Sequence, residues 1–406
     1  MAHTPEKIPS ASLLSILLTL LVIVGIGWNY WLPTAEDYLN MQTQEGYPPN
    51  IDFFAYYNAG NRFTDGVNPY YWAETDPTAE NYSDFIYPPT ILPVFKLLCT
   101  FPYAAARYLW AGFYTSLFLL AFLAIRQLVP PENRAFFLLI CSILVLTSFP
   151  LLLHIRNGQM DIAMISLILL SFALYHKGRI LPAAALLAIA AVVKVSPAFL
   201  LIYFLLYRRD FRFTACFIAA AAVLVSISLF QVPSDLYLDY LQNVLPFVSR
   251  GTSYWLNQSI VKFLPDGHNL SSLVSLAGLG GLSLFYLHQS TVQTRSAVNQ
   301  PVLRRPDLQD FLLFYLNLLV ILAFAGKIWS MAYVWMILPS AFLLNSLVHK
   351  AGSIRSLILP TVCILLMNSK VYGYPVLDSL NLFGNLLMEI FIIFLILKHF
   401  PRENPA

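Results

Sequence analysis

The chain has 406 residues, of which 58% are hydrophobic and only 11% charged, against roughly 25% charged residues in a soluble domain. That composition excludes an ordinary soluble protein. The formal net charge of +3 is spread thinly, without the basic stripe that a nucleic-acid partner requires. All four cysteines, Cys99, Cys141, Cys216 and Cys363, fall in or beside apolar runs. They form no CxxC pair and have no ligand-like spacing to histidine, so neither a disulfide framework nor a metal site is expected.

The first apolar run, residues 11–31, is too long for a secretion signal and ends in Trp28, Tyr30 and Trp31 without a small-residue cleavage site. It is expected to remain as a transmembrane helix with its aromatics in the interfacial belt. A long loop, residues 32–101, follows and holds nine acids against two bases, Arg62 and Lys96. Within it, residues 53–63 predict a short helix lying along the membrane surface. Tyr87-Pro88-Pro89 then breaks the chain before a short apolar piece at 92–99.

Apolar runs near the length needed to cross a bilayer continue at 103–126, 135–153, 160–176, 181–193, 195–207 and 213–231. After a second long loop at 232–269 they resume at 270–288, 311–326, 329–348, 354–368 and 380–398. The expectation is an all-α polytopic membrane protein, a single domain over 1–406 with about twelve spans. Alternate connections carry bases: Arg126 and Arg134, Lys177 and Arg179, Arg208, Arg209 and Arg212, then Arg295, Arg304 and Arg305, Lys350 and Arg355, and Lys398 and Arg402. The positive-inside rule then predicts cytoplasmic termini, and both long loops lie on the outer side of a plasma or inner membrane.

Few residues in so apolar a chain can carry chemistry. Asp52 precedes the short surface helix, where a carboxylate serves equally as an N-cap or as a fixed general base. Lys194 lies inside the apolar stretch 181–207. An ionisable group at membrane depth is a functional candidate by default, although a lysine there can also snorkel to the interface. Ser196 and Pro197 are expected to break the helix beside it and create a polar pocket. Arg156 and Lys327, at span ends, are secondary candidates for anion contacts, with interfacial anchoring as the ordinary alternative. Asn157, Gln159, Asn257 and Gln258 offer amides for sugar hydroxyls.

Four stretches, in order and spacing, resemble the GT-C polyprenyl-phosphate-dependent glycosyltransferases, most closely glycosyltransferase family 87. They are Asp52-Phe53 with Tyr56 and Ala59, Gly66-Val67-Asn68-Pro69-Tyr70, Tyr87-Pro88-Pro89, and Asn157-Gly158-Gln159 followed by Lys194-Val195-Ser196-Pro197. Asn257-Gln258-Ser259 is similar to a further family segment. The resemblance implies a GT-C bundle that moves a sugar, a mannose-like hexose or arabinose, from a polyprenyl-phosphate donor to a glycan or glycolipid acceptor at the outer face, with inversion. It makes Asp52 the base, with Lys194, Arg156 and Lys327 as the candidate donor-phosphate contacts beside it. Tyr56, Tyr87, Asn157, Gln159, Asn257, Gln258 and Trp329 become the sugar and acceptor contacts, with no cofactor and no metal.

Such a reaction needs one base only, because the leaving phosphate is already a stable anion, unlike glycoside hydrolysis with its two carboxylates. One segment departs from the family: Lys327-Ile328-Trp329-Ser330-Met331-Ala332-Tyr333 lacks the histidine that members often carry there. Lys327 or Tyr333 is expected to supply the missing polar contact. The competing readings are a secondary transporter, which usually shows related halves that are not found in this sequence, and a catalytically inactive scaffold of the same fold.

Overall fold

The structure, a computed structural model, describes residues 51–70, 85–250, 257–264, 270–293, 306–350, 355–369 and 379–399. The expected first span at 11–31 and much of the first loop lie outside the described residues. So do the basic residues Arg295, Arg304, Arg305 and Arg402.

The described chain is helical, without a named strand among the described residues. It opens with α1 (Ile51–Thr64), then α2 (Leu92–Leu98) and α3 (Tyr103–Leu128). α4 (Arg134–Thr147) and α5 (Phe149–Asn157) follow, then α6 (Asp161–His176) and α7 (Ile180–Val193). A 3₁₀ segment, Ser196–Leu200, and a π-turn, Tyr203–Tyr207, lead into α8 (Phe211–Leu229). Next come α9 (Ser234–Asp239), a π-turn at Tyr240–Val244, α10 (Leu245–Ser249), α11 (Leu270–Gln293) and α12 (Leu308–Phe324). A 3₁₀ segment, Ser330–Met336, precedes α13 (Ile337–Lys350), α14 (Arg355–Asn368) and α15 (Leu380–His399).

Five helices among the described residues are long and apolar enough to cross a membrane, and six if α4 and α5 count as one bent span. Several shorter apolar helices of 10–17 residues accompany them. The outer helices expose large side chains, such as Leu119 and Leu120 on α3, Ile218 on α8 and Leu284 on α11. Apolar faces of this extent suit lipid. α12 is the opposite case: every residue from Gln309 to Ala323 is buried. A helix buried all round belongs at the centre of a bundle.

Capping chemistry fixes several starts. Asp210 accepts from the Phe213 N–H at 2.8 Å, and Asp307 from the Asp310 N–H at 2.7 Å, each satisfying an orphan donor of the first turn. Ser148 does the same for α5 by accepting from Leu151 N–H at 3.2 Å, with Pro150 behind it. That cap splits the single span expected at 135–153 into α4 and α5, bent by 61°.

Two further details and one correction follow. The stretch 195–207 is a 3₁₀ segment followed by a π-turn, because Pro197 has no N–H to continue an α-helical ladder. The second long loop is helical from Ser234 to Ser249. The surface helix already includes Ile51, so Asp52 stands in its first turn and not at its cap.

Side-chain contacts sort the helix ends into two sets. At one end Lys177 bonds Gln127, Arg208 holds Asp310 with Nη1 at 2.9 Å from both carboxylate oxygens, and Arg209 donates to Ser290 Oγ at 3.1 Å. Tyr175 donates to Asp210 at 3.0 Å beside them. Asp52, Gln159, Asp161, Lys194 and Lys327 gather at the other end, where they share one cavity. Arg208, read from the sequence only as a topology signal, is therefore also half of a largely buried ion pair.

Candidate active site

The cavity has a volume of about 350 Å³ and is walled by α1, the turn between α5 and α6, the end of α7, the helical stretch 240–249, α11, and the chain from Ile321 to Ala332. Its charged groups are Asp52, Asp161, Lys194 and Lys327. The remaining wall grades into apolar side chains that include Phe199, Leu276, Leu279 and Phe324. Of the residues singled out in the sequence, Asp52, Tyr56, Tyr87, Gln159, Lys194, Lys327 and Trp329 line it.

Asp52 is held from both sides. Its helix packs through Phe53 and Tyr56 onto Trp110 and Phe95, with Phe53 to Trp110 at 6.3 Å and Tyr56 stacked on Phe95 at 5.1 Å. Such offset ring contacts add about 0.5–1.5 kcal/mol beyond burial. Trp110 in turn donates its indole N–H to Gly158 O at 2.9 Å, which joins α3 to the turn that carries Gln159. Gln159 Nε2 donates to Asp52 Oδ2 at 2.9 Å, orienting the carboxylate of a residue that is only 8% exposed.

The Asn157-Gly158-Gln159 motif owes its shape to the glycine. Gly158 ends α5 with φ +67° and ψ 32°, a left-handed conformation that costs a residue with a Cβ about 1 kcal/mol or more. Both Gly158 N and Gln159 N donate to His154 O, at 2.9 and 3.3 Å, and so close the helix. His154 Nε2 then accepts from the Ile162 N–H at 3.0 Å, doing for α6 what a cap residue would do. One nine-residue stretch thus delivers both Gln159 and Asp161 to the cavity.

Lys194 terminates α7 in an extended conformation, φ −141° and ψ 125°. Its Nζ lies 2.7 Å from Asp161 Oδ1, and the same oxygen accepts the Trp335 indole N–H at 3.1 Å. The expected break at Ser196 and Pro197 is present as the 3₁₀ segment, and Ser196 lines the cavity. Lys327 reaches the opposite wall with its ammonium 3.3 Å from the centre of the Phe247 ring. That wall is close-built: a Cβ on Gly326 would collide with the Ser249 carbonyl, so only glycine lets this segment approach α10.

Tyr56 donates to Tyr87 OH at 3.0 Å. Burial, then the neighbouring Tyr87 and Asp52, push the Tyr56 hydroxyl well above its ordinary range; burial and the Asp161 carboxylate do the same for Tyr87. Both phenols therefore stay protonated at neutral pH. The Gly66 to Tyr70 motif straps this region to the second long loop: Asn68 donates to Asp239 at 2.7 Å, and Tyr70 donates to Tyr87 O at 2.8 Å.

Arg156, Asn157, Asn257 and Gln258 do not line the cavity. Asn157 is buried with its amide 3.6 Å from Met331 sulfur, and Arg156 is partly buried in the last turn of α5. Asn257 and Gln258 are fully buried and brace the wall from behind. Asn257 Oδ1 accepts from Ile328 N at 3.1 Å, and Gln258 N donates to Ile328 O at 2.6 Å. Tyr333 is likewise engaged at the rear, donating to Gln258 O at 3.3 Å and accepting from Asn385 at 3.2 Å. Of the two substitutes expected for the absent histidine, only Lys327 reaches the cavity.

Sequence reasoning missed Asp161 and Trp335. Asp161 had a legible signal, since it is an acid at the head of an apolar span directly after a recognisable motif. Trp335 had none, because an indole in an apolar run looks like core.

The profile of glycosyltransferase family 87 matches residues 85–335 of the chain. No curated protein matches it.

Proposed function

This chain belongs to glycosyltransferase family 87 and is a membrane glycosyltransferase, and from that premise we propose that it moves a sugar from a polyprenyl-phosphate donor to a glycan or glycolipid acceptor with Asp52 as general base. The observation that carries this reading is one cavity shared by a buried, amide-oriented carboxylate and two lysines, Lys194 and Lys327. Asp52 takes the proton of the acceptor hydroxyl, whose oxygen bonds to the anomeric carbon as the carbon–oxygen bond to phosphate breaks. Polyprenyl phosphate leaves as the anion. A single displacement inverts the anomeric centre and needs no general acid.

Asp52 suits the base role better than Asp161, whose Oδ1 already serves Lys194 and Trp335. The lysines stabilise charge as it develops on the departing phosphate, where prepositioned cations are most effective. Tyr56, Tyr87 and Trp329 offer protonated hydroxyls and an aromatic face to the sugar. Arg156, Asn157, Asn257 and Gln258 act from behind the wall. The apolar side of the cavity suits an isoprenoid chain, and Leu276, 65% exposed, would admit it from the lipid.

The cavity end is proposed as the outer face and the Arg208 end as the cytoplasmic face, with both termini cytoplasmic. The shorter apolar helices and residues 11–31 would complete a bundle of about twelve spans around a single domain. The test is transfer by purified protein from radiolabelled polyprenyl-phosphate mannose and polyprenyl-phosphate arabinose. Transfer from either supports the reading; failure to transfer or bind either donor overturns it.

A further inference from the structure

We infer that Asp161 is a positioning residue that fixes the Lys194 ammonium at the cavity wall, ready for a phosphate group. The inference rests on the reading of this cavity as a lipid-phosphate site. Asp161 sits in the first turn of α6 with its side chain 2% exposed, whereas that of Lys194 is 20% exposed. The helix N-terminus favours a negative charge there. Three elements meet on one oxygen: Asp161 Oδ1 from α6, Lys194 Nζ at 2.7 Å from the end of α7, and Trp335 Nε1 at 3.1 Å from the 3₁₀ segment Ser330–Met336.

A lysine side chain has much rotamer freedom to lose, and Lys194 stands where its helix has ended, so its own backbone does little to aim it. Asp161 supplies that aim. The ammonium has three donors, and the bond to Asp161 uses one of them. Ser196 Oγ, two residues further on, is buried without a hydrogen-bond partner in the wall of the same cavity. An acceptor filling the space beside Lys194 would satisfy it, as the oxygens of a phosphate can.

A pair that served only to hold the fold would be replaceable by apolar packing at little cost, and its effect would not depend on what occupies the cavity. The experiment compares full-length wild type, Asp161→Asn, Lys194→Met and the double variant in detergent, reading farnesyl phosphate binding by calorimetry and KM and kcat for a lipid-phosphate sugar. Asn keeps the acceptor for Trp335 but removes the charge. Asp161→Asn should weaken farnesyl phosphate binding about tenfold and raise donor KM in parallel. In the Lys194→Met background the same substitution should change neither by more than about twofold, because coupled residues are non-additive.

Additive losses, or binding by Asp161→Asn as tight as wild type, overturn the positioning role. A large fall in kcat from Asp161→Asn that persists in the Lys194→Met background would overturn it as well, by making Asp161 an acid–base group. Asp161→Glu, which keeps the charge, should bind more tightly than Asp161→Asn, and equal losses in the two count against the inference even if one of them is poorly folded. Wild type that neither binds farnesyl phosphate nor transfers sugar would refute the site reading itself. That outcome is distinct from a wild type that binds while the variants behave additively.

Discussion

Asp52 separates two roles that one carboxylate can fill. Asn preserves its shape and still accepts the Gln159 amide, but cannot take a proton. Asp52→Asn is therefore expected to leave donor binding within a few-fold of wild type and to lower turnover by about 10² to 10⁴-fold, the usual contribution of a general base. Asp65→Asn is the control: it alters an exposed acid just beyond the same helix and should leave turnover nearly unchanged. Single-turnover rates with saturating donor measure both, and wild-type rates in Asp52→Asn would remove the carboxylate from the chemistry.

At the scale of the element, the turn between α5 and α6 does more than any helix to build the site. Gly158 allows the chain to reverse in the left-handed region, and the reversal aims Gln159 at Asp52 while starting α6 at Asp161. Gly158→Ala should cost about 1–2 kcal/mol of stability. It should also reduce activity by more than that loss explains, because both carboxylates lose their settings together. The two effects are separated by a thermal melt and by donor KM measured well below the melting temperature. A variant with lowered stability but unchanged KM and kcat would show that the turn serves folding alone.

For the whole molecule, the prediction concerns sidedness. Asp65 is exposed at the end of α1 and Arg179 is exposed between α6 and α7, near the end where Lys177 meets Gln127. In intact cells a cysteine replacing Asp65 should react with an impermeant maleimide, and one replacing Arg179 should react only after permeabilisation. The reverse pattern would put the cavity on the cytoplasmic side and defeat the assignment of an outer-face carrier lipid.

What depends on composition and on local pattern is legible in the chain alone. Apolar runs marked most of the longer helices from 103 to 398 within a few residues, because burying a long apolar stretch in lipid leaves the backbone no better option than a helix, but they missed the bend inside 135–153 and the short helices of 234–249. Motif order located Asp52, Tyr87, Gln159 and Lys194, because those residues sit beside Pro and Gly breaks that punctuate an otherwise uniform chain. Tertiary structure alone decided which of them share a space. Asp52 and Gln159 are 107 positions apart, and Asp161 and Trp335 174 apart, so their pairing follows from how the bundle closes. The same closure buries Asn257 and Gln258, read as candidate sugar contacts, where they bond the Ile328 backbone. An amide has the same local appearance in either role, and only its neighbours in space distinguish them.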